Sequence, residues 1–125
     1  MATKALSLSL KLSIDGNFNG LFNLNTTEDS AVTFDDTTAV SQSATIATGA
    51  ATVIVASGVT DITYVYIKNT DSTNIIVLKT DAGSTAYADL GPGEFAFIPV
   101  KGAVGIEAQA SGGNCVAEYA TFKKA

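Results

Sequence analysis

From residue 52 to residue 122 the chain repeats one rhythm. A short run rich in β-branched and aromatic residues is followed by a cluster of turn formers, about every eight to twelve residues. The runs are Thr52–Ala56, Ile62–Lys68, Asn74–Thr80, Thr85–Leu90, Glu94–Pro99, Val104–Gln109 and Cys115–Phe122. Between them stand Ser57-Gly58, Asn69-Thr70-Asp71-Ser72, Asp81-Ala82-Gly83, Gly91-Pro92-Gly93, Lys101-Gly102 and Ser111-Gly112-Gly113-Asn114, each suited to a tight turn. No window of eleven or more residues carries an apolar stripe at helical spacing, so nothing is available to make the crossovers that a parallel sheet needs. The spacing predicts an all-β chain: one antiparallel β-sandwich, jelly-roll-like, with little or no helix.

At the other end, Ala5 to Ile14 alternate strictly. Leu6, Leu8, Leu10, Leu12 and Ile14 share one face, with Ser7, Ser9, Lys11 and Ser13 on the other. At about 3.3 Å per residue this is a strand of roughly 33 Å, longer than the usual five or six residues. Such a row at an open edge invites aggregation, so the strand is expected either within its own sandwich or paired with a neighbouring subunit. Asp15-Gly16 and Asn19-Gly20 then turn the chain into a second short strand, Leu21 to Asn25. Residues 1–25 thus read as a long strand and hairpin, available to pack on a neighbour, within a single domain spanning residues 1–125. From Thr26 to Thr48 the pattern is faint, with short strands expected near Ala31–Phe34 and Thr45–Thr48.

Several later runs are apolar on both faces. Val65 and Ile67 oppose Ile62, Tyr64 and Tyr66; Ile75 and Val77 oppose Ile76 and Leu78; Phe95 and Phe97 oppose Ala96 and Ile98. A sandwich buries one face of each sheet. The surplus face is expected to lie under a loop or another subunit, which makes Leu6, Leu8, Leu10, Leu12, Ile14, Tyr64 and Tyr66 the interface candidates.

Composition narrows the chemistry. The 125 residues contain no His and a single cysteine, and all seven basic residues are Lys. Without His, no nucleophile–His relay and no His-bound metal can form within one chain. Cys115 cannot make an internal disulfide and is expected to be a buried small hydrophobe. The four Glu and eight Asp are scattered, and the adjacent residues of Asp35-Asp36 point their side chains apart in an extended segment. No enzyme and no cofactor are expected. A net charge of −5 and the absence of Arg argue against nucleic acid. The alternating N-terminus reads as neither a signal peptide nor a membrane span.

Two site motifs compete with plain turn and rim chemistry. Asp15, Asn17 and Asn19 with Gly20 imitate the start of a calcium loop, but the twelfth position is Thr26 rather than a bidentate Glu, so they stand only as a weak calcium candidate. Tyr64, Tyr66, Tyr87 and Tyr119 would suit a glycan-stacking face, or equally rims and subunit contacts with the ring buried and the hydroxyl wet.

Ile67-Lys68-Asn69-Thr70-Asp71-Ser72-Thr73, followed by an apolar strand and Leu90-Gly91-Pro92-Gly93-Glu94-Phe95, resembles small virion structural proteins of tailed bacteriophages, in which such a hairpin and a structural turn at Gly91, Pro92 and Gly93 mark a compact β-sandwich. The resemblance covers the second half of the chain in its motifs and the first half in texture. It implies a structural role: a capsid decoration or cement subunit, or a tail or baseplate component. The implied partners are further copies of the chain, as trimer or dimer, and the major capsid protein. The implied place is the virion, assembled in the host cytoplasm. A carbohydrate- or receptor-binding module is the competing class.

Overall fold

The computed structural model describes residues 3–12, 26–35 and 39–125. Among them there is no helix, and ten strands follow one another: β1 (Thr3–Leu12), β2 (Thr26–Asp35), β3 (Val40–Ile46), β4 (Thr52–Val55), β5 (Ile62–Asn69), β6 (Ile75–Lys79), β7 (Ala86–Leu90), β8 (Phe95–Lys101), β9 (Ile106–Ser111) and β10 (Cys115–Lys123).

Strands β3 to β10 pair like one long hairpin rolled up on itself. β6 pairs with β7, β5 with β8, β4 with β9 and β3 with β10, all antiparallel. The roll closes where β10 also meets β5 and β9 also meets β6. Two four-stranded sheets result, β3-β10-β5-β8 (the first sheet) and β4-β9-β6-β7 (the second), in the strand order of a jelly roll. Both sheets feed one core. Ile46, Val65, Ile67, Val100, Cys115, Ala117 and Tyr119 come from the first; Ile76, Leu78, Leu90, Ile106, Ala108 and Ala110 come from the second.

The inward phase is the one the alternation allows. Val65 and Ile67, and Ile76 and Leu78, are fully buried, while Ala96 and Ile98 pack against the core from β8. Ala108, Ala110 and Ala117 contribute only methyl groups to this core, among the larger aliphatic side chains of both sheets.

Three expectations change. The strand expected at Thr45–Thr48 is β3, Val40–Ile46, ending before the bend at residue 48. Its inward positions Val40, Gln42, Ala44 and Ile46 are too weakly apolar to mark it, and pairing with β10 sets its register. The strand near Ala31–Phe34 is the ten-residue β2. The N-terminal strand belongs to neither sheet: β1 pairs along its whole length with β2, from Thr3↔Asp35 to Leu12↔Thr26, as a separate ribbon. The short strand expected at residues 21–25 lies outside the described residues.

Candidate functional site

The outward face of the first sheet carries five of the eight aromatic rings among the described residues: Tyr64, Tyr66, Phe95, Phe97 and Phe122. On β5 the residues out of phase with the core are Ile62, Tyr64, Tyr66 and Lys68. Across the register they meet Lys101, Pro99, Phe97 and Phe95 of β8. On β10, Tyr64, Tyr66 and Lys68 meet Phe122, Ala120 and Glu118. Rings pack along the diagonals, which are within aromatic reach on one face of an antiparallel pair. Tyr64 stacks on Phe97 with centroids 6.0 Å apart and planes 12° from parallel, and Tyr66 lies 6.3 Å from Phe95, tilted 39°.

The ribbon is amphipathic and its base lies on this face. Strict alternation places Leu6, Leu8 and Leu10 on one side, level with Val32 and Ser30 of β2, with Ser7, Ser9 and Ala31 exposed on the other. The base is anchored where Phe34 sits edge-on to Phe122, centroids 5.0 Å apart at 70°. A β-bridge from Phe34 to Lys124 and the Ala125 N–H donating to the Thr33 carbonyl at 3.3 Å complete the joint. Above it, Leu8, Ser9, Leu10 and Ser30 form one wall and Tyr66, Phe95 and Phe97 the other of a cleft of about 540 Å³. Coverage is partial: Leu10 is 46% exposed and Phe95 58%.

The interface candidates therefore divide. Leu6, Leu8 and Tyr66 are half-buried, Leu10 is exposed, and Tyr64 is buried beneath its stack. Ile14, the Leu12 side chain and the calcium candidates Asp15, Asn17 and Asn19 lie outside the described residues. Among the described residues no group of three or more Cys, Asp or Glu side chains is placed to hold a metal ion. The four tyrosines do not make one platform. Tyr119 is in the core, where Gln42 hydrogen-bonds its hydroxyl, and Tyr87 is exposed on β7, an edge of the second sheet.

The turn motif at residues 69–73 has a more specific role than turn chemistry alone signals. Asn69 is fully buried and joins the two sheets. Its Nδ2 donates to the carbonyls of Asn74 and Leu90, both at 2.9 Å, and its Oδ1 accepts the Asp71 N–H at 2.9 Å. Its own N–H donates to the Glu94 carbonyl and its carbonyl accepts the Gly93 N–H, each at 2.9 Å. The turn at Gly91, Pro92 and Gly93 is thus held to the end of β5, with Gly93 at φ +78°.

Asp71 closes the same turn. Its carboxylate accepts the Asn74 N–H at 2.6 Å and the Thr73 N–H at 2.9 Å, and these two bonds hold its pKa below the ordinary Asp value. Burial pushes the Cys115 thiol up, and the Asp71 carboxylate adds to the rise. This leaves the thiol protonated and unsuited to nucleophilic work.

No family model and no curated protein matches the chain.

Proposed function

We propose that this chain is a structural subunit of a tailed-phage virion, a capsid decoration or cement protein that stabilises the particle through subunit contacts. The observation that carries the reading is the outward face of the first sheet. It presents Tyr66, Phe95 and Phe97 beneath an amphipathic ribbon that leaves Phe95 and Leu10 open to solvent. Contiguous apolar surface of this kind marks a place where another protein packs. The jelly-roll strand order supports the reading as a fold-level analogy, because viral capsid domains use it, as lectin domains also do. The hairpin at Ile67–Thr73 and the turn at Leu90–Phe95 support it through their resemblance to phage virion proteins.

Co-sedimentation with purified heads and tails of the source phage tests the reading. Saturable binding to heads, weakened at least tenfold by Phe95→Ser together with Leu10→Ser, is the expected result. Binding to tails alone would move the protein to the tail or baseplate. Binding to neither would overturn the proposal.

A further inference from the structure

Among the described residues the jelly roll has four open strand edges, two per sheet, and they are not equally protected. An open edge offers unpaired N–H and C=O groups to any extended chain, and proteins blunt such edges with short strands, bulges, proline or charge. β4 has four residues and a register shift between Val53 and Val55. β7 has five, carries Asp89 and is broken by a shift where it pairs with β6. β8 contains Pro99, which has no N–H to offer, and ends on Lys101. The ribbon strand β1 carries Lys4 and Lys11.

β3 has none of these devices. Its seven residues, Val40-Ser41-Gln42-Ser43-Ala44-Thr45-Ile46, hold no charge and no proline, and they pair with β10 in unbroken register from Ile46↔Cys115 to Val40↔Thr121. Ser41, Gln42, Ser43 and Thr45 are exposed, and Val40 is 43% exposed. No described element other than β10 pairs with this strand.

The sequence of β3 is also matched to itself. An antiparallel copy centred on Ser43 sets Val40 against Ile46, Ser41 against Thr45 and Gln42 against Ala44. Val40 then meets the apolar Ile46, Ser41 and Ser43 meet hydroxyls, the small Ala44 leaves room for the Gln42 amide, and no charges face each other. Both residues of each pair also lie on the same face, so the core of one subunit continues into that of the next.

We infer that β3 is a homodimer edge, joining two copies about a two-fold axis through Ser43 into one continuous eight-stranded sheet. The occupant of the edge is the β3 strand of a second copy. The inference rests on the packing-subunit reading above and names one of its partners. The contact is isologous and closed, so it leaves the aromatic face and the ribbon free for other virion proteins.

Cysteine placement gives the test, because the axis brings residue 43 opposite its own copy at a Cα separation compatible with a disulfide. Under mild oxidation Ser43→Cys should convert to a disulfide-linked dimer, whereas Ser41→Cys, which faces Thr45 of the other copy, should not. Cys115 is buried and common to both variants. Ser43→Lys puts two ammonium groups on the axis and should shift the sedimenting species from two chains to one, with the unfolding midpoint of the monomer retained. Equal cross-linking of the two cysteine variants, or an unchanged mass for Ser43→Lys, would overturn the inference. A wild-type chain that is monomeric yet binds heads would sink the β3 dimer and spare the virion reading. A β3 dimer that binds no particle would do the reverse.

Discussion

Asn69 of β5 and Leu90 of β7 belong to different sheets, and the Asn69 side chain donates to the Leu90 carbonyl at 2.9 Å from a fully buried position. With the second donor on Asn74 and the oxygen on Asp71, every hydrogen-bonding group of the amide is used. A satisfied polar group at this depth fixes how two sheets lie on each other, where apolar contacts alone would tolerate sliding.

Replacing Asn69 with Ala should therefore be far more damaging than an ordinary turn substitution. It leaves the Asn74 and Leu90 carbonyls and the Asp71 N–H without this partner, at about 1–3 kcal/mol for each buried group left unsatisfied. The expected total is about 3 kcal/mol, read as a lower urea midpoint at constant m-value. Thr70→Ala, one residue along, removes one exposed hydroxyl bond to Val116 and should cost under about 1 kcal/mol. Similar losses for the two would show that Asn69 is only a turn former.

Two glycines separate backbone conformation from close packing. Gly93 has φ +78° with open space where a Cβ would lie, so Gly93→Ala should cost only the left-handed penalty of about 1–2 kcal/mol. Gly105 has φ +67°, and a Cβ there would sit 2.4 Å from the Val55 carbonyl oxygen and 2.8 Å from the Ser57 nitrogen. Both neighbours are backbone, so the loop leading out of β4 must move. Gly105→Ala should lower the thermal midpoint by at least twice the shift of Gly93→Ala, measured side by side by calorimetry.

Acid should expose the Asp71 turn. Its backbone hydrogen bonds, led by the one from Asn74, depress the folded pKa below the unfolded one, about 3.9 for an Asp. The sign follows: the stabilisation is complete above the unfolded pKa and is lost as pH falls through the folded value. The stability difference between the wild-type chain and Asp71→Ala should be constant from pH 7 to 5 and shrink below pH 4. Urea titrations of both proteins across that range check it, and a gap that persists at pH 2 would mean that the carboxylate charge is not what holds the turn.

Local pattern carried much of the sandwich. The opposed faces of β5, β6 and β8 are legible because Val65/Ile67, Ile76/Leu78 and Ala96/Ile98 occupy one phase of short runs with turn residues at both ends. What stayed hidden is nonlocal. Asn69 looks like a turn residue until Leu90 is brought to it from across the sandwich, and nothing in its own neighbours announces that. β2 pairs ten residues with β1, yet Val32 and Phe34 are its large apolar positions, so its alternation is faint. The surplus apolar phase of β5 and β8 did signal a covered or contacting face. That the cover is a ribbon of the same chain follows from the meeting of Phe34 and Phe122, 88 residues apart, which no window of sequence contains.

That meeting makes the ribbon a separable unit. β1 and β2 pair with each other throughout, and their joint to the sandwich includes the Phe34–Phe122 contact, the bridge from Phe34 to Lys124 and the Ala125 N–H bond to the Thr33 carbonyl. Phe34 is 92% buried there, so Phe34→Ala removes an edge-on ring pair and leaves a void beside Phe122. The loss falls on the joint and not on the core between the sheets, whose residues Phe34 does not include. Local opening of the ribbon should then become at least tenfold more frequent while the sandwich keeps its stability. Limited proteolysis at low protease concentration reads the first quantity, through the rate of cutting within residues 3–35. Hydrogen exchange of the Val65 and Ile76 amides reads the second. Faster cutting with unchanged exchange is the expected pair of results. Faster exchange at Val65 and Ile76 would instead mean that the ribbon and the jelly roll unfold as one body, with the aromatic face part of a shared core.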